Sequence, residues 1–387
     1  MELKSDKCSF VLSSPSIICA LGRGAGEVAR ALREGWCGGM RQIQNPIVPD
    51  ETTYFGFAPL TEAELDASDT RIGSLLEIAI EGIRGEVEHC KAKYGSARIG
   101  VVIGSSNSTM EEFTQRQDRI DMAFPAKYIA ARLEVKGPGW VVSTACSSSA
   151  KVFASARHLL EAGICDAVIT GGADAATRIV TGGFAALEAL SPRLTHPLSL
   201  TRDGINLGEG AALFVMTRES ENVNGKICLL GVGESSDAYH LTAPDPEGRG
   251  AEEAMRKALA DAALAPGEID YINLHGTGTT YNDSMECAAV RKVFGDGACC
   301  SSSKMMTGHT LGAAGAIEVA LCYLAISDGG FAPPHATDGI DKEMAPFEVP
   351  QIGNAVKIST ALSNSFAFGG SNAAVIIGRK QESGVEQ

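Results

Sequence analysis

A chain of 387 residues with 44% hydrophobic content can bury a large core and suggests two halves of domain size. A formal net charge of -14 argues against general nucleic-acid binding, which needs clustered positive charge. No run approaches the roughly 20 apolar residues of a membrane span. Residues 1–6 lead into a stretch broken by Ser13, Ser14, Pro15 and Ser16, and 11 cysteines lack any Cys-x-x-Cys pair, so a cytoplasmic protein in a reducing compartment is expected.

In chain order, residues 9–20 read as a strand pair or one long strand, and 24–34 as a helix with Val28 and Leu32 on one face. Residues 41–67 are polar and predict an irregular surface excursion. Ile72, Leu75, Leu76, Ile78, Ile80 and Ile83 carry helical spacing through 71–89. The apolar run 99–104 is typical of a strand buried on both faces, and 110–133 is amphipathic and mostly helical in pattern. Gly137-Pro138-Gly139 breaks that pattern before a strand ending at Val141-Val142. A helix over 151–160, a strand at 166–172, a helical piece opened by Thr181 and a strand at 211–216 complete a first half, which ends at the polar stretch 219–225. The second half repeats the alternation: strands at 227–232, 269–274 and 298–303, helices at 251–264, 283–294 and 308–326, and last strands at 356–362 and 373–377. This alternation predicts two stacked α/β units, residues 1–222 and 223–387, with mostly parallel sheets.

Four stretches carry chemistry. Cys146, among small residues, sits where a strand turns into a helix; unpaired N–H groups at a helix start favour the thiolate, which is the nucleophile. Taken by itself, this cysteine reads first as a buried structural residue before an ordinary helix. His275-Gly276-Thr277-Gly278-Thr279 follows a buried strand, with Asp283 and Glu286 at the next helix start. Lys304 precedes His309 by five positions; Gly312, Ala313, Ala314 and Gly315 keep the following helix slim, implying a close neighbour, and Glu318 lies further along it. Phe366-Ala367-Phe368-Gly369-Gly370 permits a positive-φ turn with an outward N–H. Together these supply a nucleophile with acid–base and electrostatic partners.

At these residues the chain resembles the β-ketoacyl-acyl-carrier-protein synthases of the elongating type. Thr144-Ala145-Cys146-Ser147-Ser148, His275 through Thr279, Lys304 through Glu318 and Asn364 through Asn372 match the family's motifs in family order. The resemblance implies the thiolase fold: duplicated βαβαβαββ halves in a five-layer αβαβα sandwich, the first half carrying the cysteine and the second both histidines. It implies acyl transfer from the phosphopantetheine arm of acyl carrier protein to Cys146. Decarboxylation of malonyl-carrier at His275 and His309 follows, then condensation, with no metal and no separate cofactor. The N–H groups of Cys146 and Phe368 would form the oxyanion hole. Lys304 and Glu318 would organise His309 and the surrounding charge, Thr277 and Thr279 would hold the pantetheine arm, Phe366 or Phe368 would gate the pocket, Phe184 would line the acyl channel, and Gly369 would join them in binding substrate.

His309 stands where initiating and chalcone-type enzymes carry Asn, which favours the elongating branch; the degradative thiolases' second cysteine has no counterpart at Cys299 or Cys300. His196-Pro197-Leu198-Ser199 and Ile205 depart from the common elongating pattern and suit a specialised aryl-polyene or polyketide ketosynthase. Such an enzyme acts as a homodimer or beside a Cys-less chain-length-factor partner, and the intact Cys146 makes this chain the condensing subunit rather than a non-catalytic one. An acidic carrier needs a local basic patch, for which Arg71, Arg116, Arg119 and Lys127 are candidates, while Glu188 lies where relatives carry a basic residue.

Overall fold

The computed structural model describes residues 9–110, 120–175, 177–219, 223–336, 339–353 and 356–380. The first half contains β1 (Ser9–Leu12), β2 (Ser16–Cys19), β3 (Gly22–Arg23), α1 (Ala25–Arg33), β4 (Met40–Gln44), β5 (Thr52–Gly56), α2 (Glu62–Asp66), α3 (Arg71–Tyr94), β6 (Ile99–Gly104), α4 (Phe124–Leu133), β7 (Gly139–Val142), α5 (Ser148–Glu161), β8 (Ala167–Asp174), α6 (Arg178–Ala186), β9 (Leu207–Gly208) and β10 (Gly210–Glu219). The second contains β11 (Ile227–Ser236), α7 (Arg249–Ala262), β12 (Tyr271–Asn273), α8 (Thr280–Phe294), β13 (Cys300–Ser301), α9 (Lys304–Thr307), α10 (Ala314–Ser327), β14 (Thr360–Phe366) and β15 (Ser371–Arg379).

The sheet order β13-β12-β14-β15-β11-β1-β10-β8-β6-β7 contains its own repeat. Read inward from either end, each half runs parallel, parallel, antiparallel, antiparallel, and the halves meet where β1 pairs antiparallel with β11 through Phe10↔Leu229 and Val11↔Cys228. The sheets are therefore mixed, not mostly parallel: β10 and β15 return as antiparallel neighbours of β8 and β14, β15 through a short turn and β10 after the segment that carries α6 and β9, a direction that a period-based reading does not distinguish.

Helices pack on both outer faces and between the sheets. α3 and α4 cover the first-half strands, α7 covers β11 and β15 with α8 beside it, and α5 and α10 lie between, each touching strands of both halves. These are the five layers of the thiolase fold. α10 shows why the central layer reads as it does: from Ala314 to Ile326 nearly every residue is buried, and apart from Glu318 its composition is almost wholly apolar.

Several element expectations change. Residues 41–67 hold the β4–β5 hairpin, its register Met40↔Gly56 through Gln44↔Thr52, and the short capped helix α2. Arg41, Gln42 and Gln44 of β4 are exposed, which gives it the polar composition of a loop. The last strands begin at Thr360 and Ser371. Within 110–133, α4 starts at Phe124, and residues 111–119, with Arg116 and Arg119, lie outside the described residues.

Candidate active site

Cys146 follows β7 and precedes α5, and the turn that presents it is strained. Ala145 has φ 53°, the left-handed region an alanine avoids. Hydroxyls hold the turn: Ser148 Oγ accepts the Thr144 N–H at 2.9 Å and donates to Ala145 O at 2.6 Å, and Ser147 Oγ bonds Thr144 O at 2.9 Å.

His275 leaves β12 on a loop tethered by one carboxylate. Glu286, buried on α8, accepts the His275 N–H at 2.8 Å and the Gly276 N–H at 2.7 Å, and Asn364 Nδ2 donates to it at 3.1 Å. His309 is not at a helix start as expected. Its backbone is extended beside β9, donating to Asn206 O at 2.7 Å and accepting from Gly208 N at 2.9 Å, and α10 begins at Ala314. The ring centroids of His275 and His309 are 5.2 Å apart and nearly perpendicular. One atom from each of Cys146 Sγ and the two imidazoles lies within 4.8 Å of the others, all three side chains buried.

These residues line one cavity of about 360 Å³, with Phe184, Ile205, Thr277, Thr279, Phe366 and Phe368 also on its wall. The Thr277 and Thr279 hydroxyls face each other at 2.9 Å. Phe366 is buried in β14, whereas Phe368 is 39% exposed and stacks on Phe184 at 5.6 Å, so Phe368 stands at the mouth. Gly369, at φ 80°, makes the turn and donates to Leu241 O at 2.7 Å, without lining the cavity. Lys304 and Glu318 lie behind it, fully buried and ion-paired to each other.

The electrostatics reverse one expectation. Burial pushes the Cys146 thiol up to about 11, against the smaller opposing pull of Lys304 and of the Phe368 and Cys146 backbone N–H groups, so a helix start does not by itself make a resting thiolate here. Those two N–H groups favour negative charge at the sulfur. Burial and the Lys304 charge hold both histidines well below the ordinary imidazole range, with His309 adding to the effect on His275. Both rings are therefore neutral at pH 7. His275 Nδ1 and both ring nitrogens of His309 find no hydrogen-bond partner among the described residues. Glu318 is raised by burial to about 6 despite Lys304.

Two sequence families match. The N-terminal domain of β-ketoacyl synthase covers residues 57–222, and its C-terminal domain covers 227–337. The chain belongs to the β-ketoacyl synthase family. The 3-oxoacyl-[acyl-carrier-protein] synthase 2 of Coxiella burnetii is 37% identical over 317 residues, 73% of this chain and 75% of that one. Its namesake from Staphylococcus aureus is 36% identical over 308 residues, 72% and 76%. A chain from the complex of a ketosynthase with its chain length factor from Xenorhabdus doucetiae superposes with a TM-score of 0.85 at 36% identity, covering 98% of this chain and all of that one. A β-ketoacyl synthase from Burkholderia phymatum gives 0.81 at 27%, covering 97% and 100%.

In this β-ketoacyl synthase the four sequence stretches meet at one cavity, and further residues hold them there. Sequence places Glu286 at a helix start without a role; the structure makes it the anchor of the His275 loop. Asn206 carries no sequence signal, yet it anchors His309 and bonds Thr195 N at 2.7 Å and Arg193 O at 3.0 Å. The departing segment is built in as well: the Leu198 N–H donates to buried Asp283 at 2.9 Å, and His335 Nε2 bonds Pro197 O at 3.0 Å. Arg71, a candidate for the carrier-facing patch, is ion-paired and its side chain is partly buried. Its guanidinium grips buried Glu209, with Nε at 2.6 Å, and Lys127 pairs with Asp121 at 2.9 Å. Glu188 lines the cavity. Cys299 and Cys300 are both free thiols. No helix among the described residues is long and apolar enough to cross a membrane.

Proposed function

We propose that this β-ketoacyl synthase condenses malonyl-acyl carrier protein with an acyl group carried on Cys146, releasing carbon dioxide. Cys146 Sγ attacks the carbonyl carbon of an acyl-carrier thioester. The new S–C bond forms, the bond to phosphopantetheine sulfur breaks, and the thiol proton passes to the departing arm. The Cys146 and Phe368 N–H groups stabilise the tetrahedral oxyanion. Malonyl-carrier then enters past Thr277 and Thr279. Its C–CO2 bond breaks, and neutral His275 and His309 each offer one N–H to the enolate oxygen that receives the electron pair. Neutrality matters because a cationic imidazole would grip the malonyl carboxylate and oppose its loss. The enolate carbon attacks the Cys146 thioester, the Cys146–acyl bond breaks, and the thiolate regains a proton.

The observation that carries this reading is the convergence of Cys146 Sγ with both imidazoles within 4.8 Å. In the same reading, residues 1–222 deliver the nucleophile and 223–387 the histidines, with Lys304 and Glu318 setting the field and Phe184 lining the acyl channel. The protein works in the cytoplasm on carrier-bound substrates and needs no separate cofactor. It acts as a homodimer or beside a chain-length-factor subunit, a pairing supported by the ketosynthase–chain length factor complex it resembles. The test is incubation with an acyl-carrier and malonyl-carrier, with and without a partner subunit, followed by intact mass of protein and product. Cys146 should gain the acyl mass, Cys146→Ala should not, and a β-ketoacyl-carrier should form. Acylation retained in Cys146→Ala, or no condensation product in either setting, refutes the proposal.

A further inference from the structure

The nucleophile and the decarboxylating pair sit on separate elements, so something must set the distance between them. Cys146 is two residues before α5, and His309 is five before α10. The starts of these two buried helices abut. A Cβ added to Gly315 would lie 2.6 Å from the Ala150 nitrogen, and glycines also face Ser149 from the strand side: a Cβ on Gly104 would meet its Cα at 2.3 Å and one on Gly172 its Cβ at 2.5 Å. Ser149 is thus held in a slot floored by glycine, fully buried.

A 3-10 turn over Leu311–Ala313 leads into α10 and gives the Ala314 N–H an acceptor in Leu311 O, but the N-cap residue, Ala313, has no side-chain oxygen for the N–H groups that follow. The acceptor comes from the other helix: Ala316 N–H, at the third position of α10, donates to Ser149 Oγ at 2.8 Å. That hydroxyl does for α10 what an N-cap serine does within a single helix.

We propose that Ser149 is a positioning residue that sets the register of acyl-Cys146 against the enolate held by His275 and His309. The proposal rests on the condensation reading. His275 and His309 do not depend on Ser149 for their mutual placement, because Glu286 and Asn206 anchor them separately. Loss of the hydroxyl therefore leaves acyl transfer and malonyl decarboxylation in place and misaligns the C–C bond-forming step. An enolate that misses the thioester takes a proton and leaves as acetyl-carrier.

The readout is the ratio of acetyl-carrier to β-ketoacyl-carrier from acyl-primed enzyme, with rates normalised to iodoacetamide-titratable Cys146. Ser149→Ala is expected to raise the ratio about tenfold, since misplacements near 1 Å cost up to two orders of magnitude in rate, while Cys146 acylation stays within about twofold of wild type. Gly315→Ala, which wedges the same contact from the other side, should raise it too. A purely structural role would lower acylation and condensation together and leave the ratio fixed. Wild-type condensation with an unchanged ratio in both variants overturns this inference alone; a wild type that forms no ketoacyl product overturns the condensation reading and this inference with it.

Discussion

Replacing Lys304 with methionine tests the electrostatics from the inside. Lys304 is fully buried, and its ammonium pairs with Glu318, also buried, so the change strands a carboxylate in apolar surroundings. Breaking a buried pair by removing one partner costs about 3–5 kcal/mol, against a total stability of roughly 5–15 kcal/mol. Glu318 limits the loss by taking a proton. Already raised from 4.5 to about 6 with Lys304 present, it rises further without it and is neutral at pH 7. A carboxyl raised on folding contributes stability fully present below its unfolded value and lost as pH climbs through the folded one, so Lys304→Met should be less damaging at pH 5 than at pH 8. The double variant Lys304→Met/Glu318→Leu removes the stranded charge and should melt above the single variant at pH 8. The same substitution lifts the basicity of His275 and His309, because Lys304 helps hold both neutral. The acid limb of malonyl decarboxylation should therefore move to higher pH. Thermal melts at both pH values and a decarboxylation pH profile make the assay. A double variant no more stable than Lys304→Met, together with an unmoved acid limb, would refute the reasoning.

Glu286→Gln replaces an acceptor of two backbone N–H groups by an amide that can turn only one oxygen toward them; decarboxylation should fall at least about tenfold while Cys146 alkylation changes little, as the loop that carries His275 loosens. Alkylation of Cys146 by iodoacetamide should climb about tenfold per pH unit from about pH 7 to pH 10, because burial holds the thiol up to about 11; a plateau below pH 8 would contradict that. Phe368→Ala removes the stack on Phe184, worth about 0.5–1.5 kcal/mol, and opens the mouth, so alkylation by bulky maleimides should accelerate more than alkylation by iodoacetamide; equal acceleration would argue against a gate at Phe368.

What the sequence revealed depended on whether a feature is local. Strands such as Ile99–Gly104 are buried on both faces and declare themselves as apolar runs, and the slim start of α10 announced a close neighbour that proved to be Ala150. Direction of pairing was hidden, because β8 and β10 look alike whether they run parallel or antiparallel. The β4–β5 hairpin was hidden because three of the five residues of β4, Arg41, Gln42 and Gln44, are exposed and polar and break the apolar alternation. At the site, the residue types stood out while their environment did not. Nothing local to Cys146 reports the burial that outweighs its helix start, and nothing near Arg71 reports Glu209, far along the chain, which takes its charge inward. Glu286 acts on backbone groups of a distant loop and Asn206 holds His309 through its own main-chain carbonyl, roles that residue type does not specify.

The strand that opens the described chain has a consequence for synthesis. β1 lies between β10 and β11, with Phe10 opposite both Arg218 and Leu229, so its neighbours are made about 200 residues after it. While the ribosome is still adding those residues, β1 has no partner on either edge and the central seam stays open. The segment bearing Cys146 emerges well before that seam can close, and the histidines emerge after it. A nascent chain of this protein thus carries its nucleophile without the two histidines for much of translation, and the sheet that holds the constellation is complete only when β15 is laid between β14 and β11.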